Sequence, residues 1–314
     1  MKKTILICGA TGFIGRNMLE YFIEDGNYNI RAVWHMPSDL TDIYSDNVEW
    51  INADLTKKED VKKVLVGVDI ILQYAAISTS MKDAVERPYI HVTDNVIINS
   101  LIFRYAYEVG VEQVIFPSCT VMYDVSDYAV REEDFNGVMD SDNIYFGGGG
   151  TKVYLENMCK FYSKLGNTKF TVMRQTHIYG PYDEFNSEGH FFPATVDKVI
   201  NSDGEIIVWG DGTEEKDLLY VKDLADFIKI AIETQKSNFE LVNIGSGSSF
   251  KIKDIVKNII DTFGKKIEIK YDLTKPSRKK GLKLNTNKVK NLFNWETKYT
   301  LTTGINEIMN KLTR

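Results

Sequence analysis

The sequence predicts an α/β protein: a doubly wound parallel sheet with helices on both faces, joined to a smaller mixed α/β layer. Three observations carry that prediction. Apolar stretches alternate with helical segments from residue 1 to about 175, the pattern of a parallel sheet flanked by helices. The first stretch, Thr4–Cys8, is apolar on both faces, as a central parallel strand requires. It runs straight into Gly9-Ala-Thr-Gly-Phe-Ile-Gly15, three glycines spaced three apart at the start of a helical pattern.

Taken in order, strands are expected at Thr4–Cys8, Asn29–Trp34, Val48–Ile51, Asp69–Tyr74, Gln113–Pro117 and Lys169–Arg174. Between them, Phe13–Asp25, Lys57–Leu65, Tyr89–Val109 and Thr151–Leu165 have helical spacing. The last of these sets Tyr154, Met158, Phe161 and Leu165 on one face, for the sheet or for a partner subunit. After residue 175 the rhythm changes. A Gly-, Pro- and Asp-containing loop over residues 179–189 precedes a helix near Pro193–Asn201 and a strand at Ile206–Trp209. A helix at Asp223–Glu233 and a strand at Leu241–Ile244 return to the sheet. Ile252–Phe263, Ile267–Tyr271 and a helix near Thr303–Leu312 complete the second layer.

The glycine segment reads as a dinucleotide site of Rossmann type. Gly9 makes the tight turn, Gly12 lets backbone approach a pyrophosphate, and Gly15 lets helix and strand pack closely. The helix then points free N–H groups at anionic oxygens. Strand, turn and helix occur in the order that such a site needs.

A net charge of −6, with basic residues scattered apart from Arg278–Lys280, argues against a nucleic-acid surface. Cys8, Cys119 and Cys159 are too far apart for a zinc site and odd in number, so neither a metal nor a disulfide framework is expected. These features fit a cytoplasmic protein. No run approaches the roughly 18 apolar residues of a membrane span, and glycines interrupt the N-terminal apolar stretch too soon for a signal peptide.

The segment Val33–Asn47 bears on the cofactor, because a 2′-phosphate needs a nearby Arg or Lys. It contains neither, but it holds Asp39, Asp42 and Asp46. NAD is therefore expected, although no acid stands directly at the strand end, where His35 lies. Arg16 leaves NADP as the alternative.

Gly9–Gly15, Ala53-Asp54-Leu55, Ala75-Ala76 and Ile178-Tyr-Gly-Pro181 together resemble the extended short-chain dehydrogenase/reductase family, over nearly the whole chain. Its members mostly act on nucleotide-activated sugars. The resemblance implies an NAD-binding Rossmann domain (residues 1–176 and 217–245) and a nucleotide-sugar-binding domain (177–216 and 246–314). It implies that Gly9, Thr11, Gly12, Phe13, Ile14 and Gly15 bind the cofactor. By the same likeness Asp54 and Leu55 flank its adenine, Ala75 and Ala76 line it, and Lys152 holds the nicotinamide ribose. Within the family, residues 179–193, Val208-Trp209-Gly210 and Asp272-Leu-Thr-Lys-Pro276 are similar to GDP-fucose synthetases. On that likeness His190, Lys198, Trp209 and Lys216 bind the nucleotide sugar, with Arg278 or Lys279 a further candidate. Lys216 replaces an Arg, which loses the bidentate fork and keeps the charge.

The proton relay departs from the family pattern. A tyrosine is expected four residues before Lys152, where its phenol would be kept acidic by the lysine; that position is Gly148. The neighbouring serine position falls on Cys119, with Thr120 beside it. Tyr145, His177 with its near-neutral imidazole, an introduced Gly148 that traps substrate, and a protein that binds without turnover all remain open. His190 matches the histidine of the cysteine–histidine acid–base pair with which the synthetases epimerise, but the cysteine position falls on Val121.

The resemblance therefore implies an NAD-dependent oxidoreductase acting at C4 of a GDP-activated manno-configured sugar, hexose or heptose, most simply a 4-dehydrogenase of bacterial surface-polysaccharide synthesis. A nucleotide-sugar epimerase, a 4-keto reductase and a cofactor-loaded binding or regulatory protein are the alternatives. A small 2-oxo acid is a candidate hydride acceptor. A homodimer or higher homo-oligomer through the Tyr89–Val109 and Thr151–Leu165 helices is expected.

Overall fold

The computed structural model of the chain describes residues 2–36, 38–44, 46, 48–77, 87–124, 126–186, 190–275 and 281–313. It divides into two units, one of residues 1–122, 137–174 and 225–242, the other of residues 123–136, 175–224 and 243–314.

The first unit is built on β1 (Thr4–Cys8), β2 (Asn29–Trp34), β3 (Val48–Asn52), β4 (Ile70–Gln73), β5 (Gln113–Ser118) and β6 (Lys169–Gln175). With a later strand, β11 (Phe239–Ile244), they form one sheet in the order β11-β6-β5-β4-β1-β2-β3. The pairings along β3-β2-β1-β4-β5-β6 are all parallel. Order reverses between β1 and β4, and the carboxyl ends of strands at such a switch point are where open α/β sheets bind ligands. Ile5, Leu6, Ile7 and Cys8 have no exposed surface, which is why these four positions carry apolar side chains.

Helices Phe13–Asp25 (α1), Lys58–Val64, Thr93–Val109 and Phe146–Tyr162 connect the strands. Phe103 from one helix meets Phe116 of β5 and Phe170 of β6 edge-on, with centroids 5.3 and 5.7 Å apart. The expected strands and helices occur here with ends shifted by one or two residues, with two exceptions. The helix expected to begin at Tyr89 begins at Thr93, after a short 3-10 turn at Pro88–His91. The helix expected to begin at Thr151 begins at Phe146, inside the glycine run. Tertiary packing overrides the poor helix propensity of glycine there. A Cβ on Gly149 would lie 2.6 Å from Met139 Sδ and 3.0 Å from Val121 Cγ2. Thr151 caps the turn from within by donating its hydroxyl to Gly147 O at 2.7 Å.

At the carboxyl ends of β5 and β6 a buried ion pair joins the helix to the sheet. Arg174 donates to Glu156 from Nη2 at 2.7 Å and from Nε at 3.0 Å, and Ser118 Oγ donates to the same carboxylate at 2.5 Å. The side chains of Arg174 and Glu156 are only 6% and 7% exposed.

The second unit uses short strands. β7 (His177–Tyr179) pairs in parallel with β10 (Leu218–Tyr220), β8 (Glu205–Trp209) in parallel with β13 (Glu268–Asp272), and β9 (Glu215–Lys216) antiparallel with β12 (Phe250–Lys251). Helices Phe191–Asn201, Ile252–Thr262 and Leu301–Leu312 cover them with amphipathic faces. The two-residue strands and the helix Asn287–Phe293 left no periodic signal in the sequence. Asp217 ties three segments of this unit, accepting from the amide and hydroxyl of Ser246 at 2.8 Å each and from the Leu284 amide at 3.5 Å. No helix among the described residues is long and apolar enough to cross a membrane.

Two stability measurements test these buried charges. Removing one partner of a buried pair strands the other, so Arg174→Met should cost about 3–5 kcal/mol in urea unfolding, and Arg174→Met/Glu156→Met should recover most of it. Burial pushes the Asp217 carboxyl up to about 6. The folded chain then binds that proton more tightly than the unfolded chain, whose carboxyl titrates near 3.9. The contribution is fully present below about pH 4 and is lost as pH rises through about 6, a fall of up to about 3 kcal/mol. Asp217→Asn should flatten the stability profile between those values.

Candidate active site

The turn after β1 is shaped by what a side chain would strike. Gly9 has φ +72°, and a Cβ on it would lie 2.8 Å from Ala75 N and from the Tyr74 carbonyl. A Cβ on Gly15 would lie 2.0 Å from Gly9 O, so α1 backs directly onto the strand end. Gly12 differs. A Cβ there would meet only Gly9 O, at 3.5 Å, which leaves its outer side open. Gly12 is also the N-cap of α1, with extended backbone and no side-chain cap. The amides of Phe13, Ile14 and Gly15 thus begin the helix without intrahelical acceptors, and with the helix dipole they form a cradle fitted to a pyrophosphate. Thr11 stands half-buried beside it.

Ala75 and Ala76 follow β4, and the Tyr74–Ala75 peptide passes over Gly9. Leu55 is buried. Asp54 is held in its own turn, Oδ1 accepting from Thr56 N at 2.9 Å and Thr56 Oγ1 at 2.6 Å. Those hydrogen bonds hold its carboxyl below the usual range. Its oxygen Oδ1 is therefore spent on the turn, and Oδ2 stands 4.0 Å from the Lys57 ammonium.

Lys152, Cys119, Thr120 and Gly148 come together in this same unit. Lys152 lies on the helix Phe146–Tyr162 and donates from Nζ to Pro117 O at 2.6 Å, its ammonium 4.7 Å from the centre of the Phe116 ring. Burial pulls its pKa down, opposed by Cys119, Cys159 and Glu156. Cys119 and Thr120 are half-buried just past β5. Burial raises the Cys119 thiol, with Lys152 pulling the other way, so the thiol stays protonated near neutrality. Gly148 lies one helical turn before Lys152, and a Cβ on it would meet nothing within 4 Å. Tyr145 is the helix N-cap, and its carbonyl accepts the Gly149 amide at 2.7 Å. It stands two turns from Lys152 along the helix, without a bend between.

The second unit holds the remaining expected residues. His177 is exposed on β7, and His190 is the N-cap of the helix Phe191–Asn201. Trp209 ends β8 with 57% of its surface exposed, and the Lys275 ammonium lies 5.6 Å from its ring centre. Lys198 is exposed. Lys216 donates to Glu214 at 2.7 Å and lies 5.6 Å over Phe191. Its charge is thereby matched by a neighbour that sequence reasoning overlooked. Arg278 and Lys279 lie outside the described residues. Tyr182, just past Ile178–Pro181, has φ +69°, and Lys311 sits 4.8 Å over its ring. Next to it, burial pushes the Asp183 carboxyl up to about 6.

Lys275, Asp183 and the Glu156–Arg174 pair were missed by sequence reasoning. Only Glu156 had a signal, its spacing of four from Lys152 on one helix face.

A profile of the NAD dependent epimerase/dehydratase family matches residues 5–245. The chain is 25% identical over 308 residues to a putative UDP-glucose 4-epimerase of Methanocaldococcus jannaschii, covering 98% of this chain and 97% of the relative. It is 27% identical over 234 residues to a GDP-L-fucose synthase of Sinorhizobium fredii, covering 71% and 73%. Its fold matches that of a UDP-glucuronic acid 4-epimerase from Bacillus cereus, solved with UDP-glucuronic acid and NAD, with a TM-score of 0.83 at 21% identity over 99% of both chains. With the glycine cradle at the switch point and a family profile spanning most of the sequence, the chain belongs to the NAD-dependent epimerase/dehydratase family, and its cofactor is NAD.

Proposed function

We propose that this protein is an NAD-dependent oxidoreductase acting at C4 of a GDP-activated manno-configured sugar, hexose or heptose, and that it works as a 4-dehydrogenase in bacterial surface-polysaccharide synthesis. The observation that carries the reading is the glycine cradle together with a half-buried lysine one turn beyond an open glycine. Bound NAD supplies a hydride acceptor. The chain's part is to orient the sugar and take the hydroxyl proton. In this reading Lys152 holds the nicotinamide ribose, and Thr120 and Cys119 offer a hydroxyl and a thiol to the reacting oxygen. Gly148 cannot accept a proton, so His177 or Tyr145 takes it. Asp54 and Leu55 flank the adenine. Val121 has no titratable group, which disfavours a two-base epimerisation at C3 and C5.

The GDP preference is supported by the likeness to the GDP-L-fucose synthase and by Trp209, a wide exposed ring with a cation at its face. Lys198, His190 and Arg278 are the further substrate contacts of this reading. Lys216 must exchange Glu214 for a phosphate if it is to join them. A UDP-sugar 4-epimerase is the second reading, favoured by the full-length likeness to the Methanocaldococcus relative. The two differ in outcome. Incubation with GDP-mannose-type and UDP-sugars should produce a 340 nm signal with the GDP-sugars, bleached by a small 2-oxo acid. An interconverted UDP-sugar without lasting absorbance would install the epimerase, and binding of cofactor and sugar without either would leave a binding protein.

Two further measurements probe this reading. General acid–base groups contribute roughly 10²–10⁴-fold. Gly148→Tyr should therefore raise turnover by about that range, since nothing obstructs its Cβ; an active wild type that gains nothing keeps another base, and loss of activity in His177→Gln or Tyr145→Phe then identifies it. The helices Thr93–Val109 and Phe146–Tyr162 leave Ile97, Tyr154 and Phe161 exposed, as is Leu165 just beyond, an apolar face that supports pairing with a second copy. Phe161→Glu with Ile97→Glu should convert a dimer to a monomer in sedimentation, and an unchanged mass would exclude that surface.

A further inference from the structure

The cation that the sequence offers to a 2′-phosphate is already engaged. In a βαβ dinucleotide site, the 2′-oxygen of the adenosine ribose lies near the end of the second strand, where an acid accepts its hydroxyl or an arginine takes its phosphate. Here β2 ends Val33-Trp34-His35 with neither. The Ala10 amide donates to Val33 O at 3.3 Å and so holds the glycine turn to that strand end. Arg16 stands one residue beyond Gly15 in α1. One helical turn on, Glu20 brings Oε1 to 3.6 Å from Arg16 Nε, and the two side chains are 27% and 28% exposed. The same Oε1 accepts from the Tyr44 hydroxyl at 2.5 Å. Tyr44 belongs to the connection between β2 and β3, just past the short helix Leu40–Ile43. A carboxylate is thus fixed between the guanidinium and the chain that follows β2.

We propose that Glu20 sets the preference of this site for NAD over NADP. Its charge offsets that of Arg16, whose planar fork would otherwise suit a phosphate. It also adds a negative charge beside the arginine that a second negative group would need, and the Tyr44 hydroxyl holds that charge in place. The 2′-hydroxyl of NAD is uncharged and meets no such opposition. The inference rests on NAD being the cofactor, and is independent of which sugar is bound.

The test is direct binding of NADH and NADPH to the full chain, freed of carried-over nucleotide, followed by nicotinamide fluorescence. Wild type should bind NADH at least about tenfold more tightly than NADPH. Glu20→Gln should tighten NADPH by about tenfold and leave NADH within about threefold. Adding Arg16→Gln to Glu20→Gln should cancel the gain, because the gain acts through the released guanidinium. Tyr44→Phe should give a smaller gain in the same direction, and it keeps the test open if Glu20→Gln fails to fold. Equal wild-type affinities, an unchanged NADPH affinity in Glu20→Gln, a gain that survives loss of Arg16, or a parallel loss of NADH would each overturn the proposal. Absence of NADH binding to wild type would instead remove the cofactor assignment beneath it.

Discussion

The first unit depends on one close approach, the start of α1 against the end of β1. A Cβ on Gly15 would stand 2.0 Å from Gly9 O, so any side chain there forces helix and strand apart. Because they touch backbone to backbone, the helix axis points its free amides at the switch point between β1 and β4. The same turn also locates the chain after β4. A left-handed glycine at position 9 leaves room for the Tyr74 carbonyl and Ala75 amide at distances that a Cβ would violate. One backbone contact therefore sets both the anion cradle and the segment that passes over it.

A second constraint positions Lys152. The Glu156 carboxylate receives Arg174 and Ser118 in a buried setting, which ties the helix Phe146–Tyr162 to the ends of β5 and β6. Lys152 is one turn before Glu156 on that helix, and its ammonium is fixed by a carbonyl of β5. Such a pair is a costly way to gain stability, but it gives the helix a defined register on the sheet. The register matters here because the first turn of the helix is glycine and supplies almost no side-chain contacts of its own. A Cβ on Gly149 would crowd the Met139 and Val121 side chains, whereas one on Gly148 would meet nothing within 4 Å. The space around position 148 would therefore admit a side chain.

Much of this was legible in the sequence, for physical reasons that differ by element. The central strands β1, β4 and β5 are buried on both faces and read as largely apolar runs, so they were found to within a residue at each end. The glycine turn was legible because each glycine answers a separate steric demand. The helix start at Phe146 was not, because the low helix propensity of four consecutive glycines points the other way. The short strands β7, β9, β10 and β12 carry too few residues for any periodicity. Among the site residues, spacing along one helix relates Gly148 to Lys152. Nothing local reveals that Glu214 sits on Lys216 or that Lys275 lies over Trp209, since these are pairings of flexible side chains made after folding.

The distribution of charge gives the site its character. A chain of net charge −6 that holds a dinucleotide needs positive potential somewhere, yet several cations near the motifs are already matched. Arg16 faces Glu20, Lys216 faces Glu214, and Lys152 is directed at a carbonyl. The potential at the glycine turn comes instead from aligned backbone dipoles, which are fixed in place by the fold and carry no net charge. Such a source favours a pyrophosphate that lies directly on the helix start, and its effect falls off within the first turn. A phosphate displaced toward the end of β2 lies beyond the strongest part of it and meets an arginine already paired. Selectivity for the unphosphorylated ribose then follows from the same arrangement that lets an acidic protein bind an anionic cofactor.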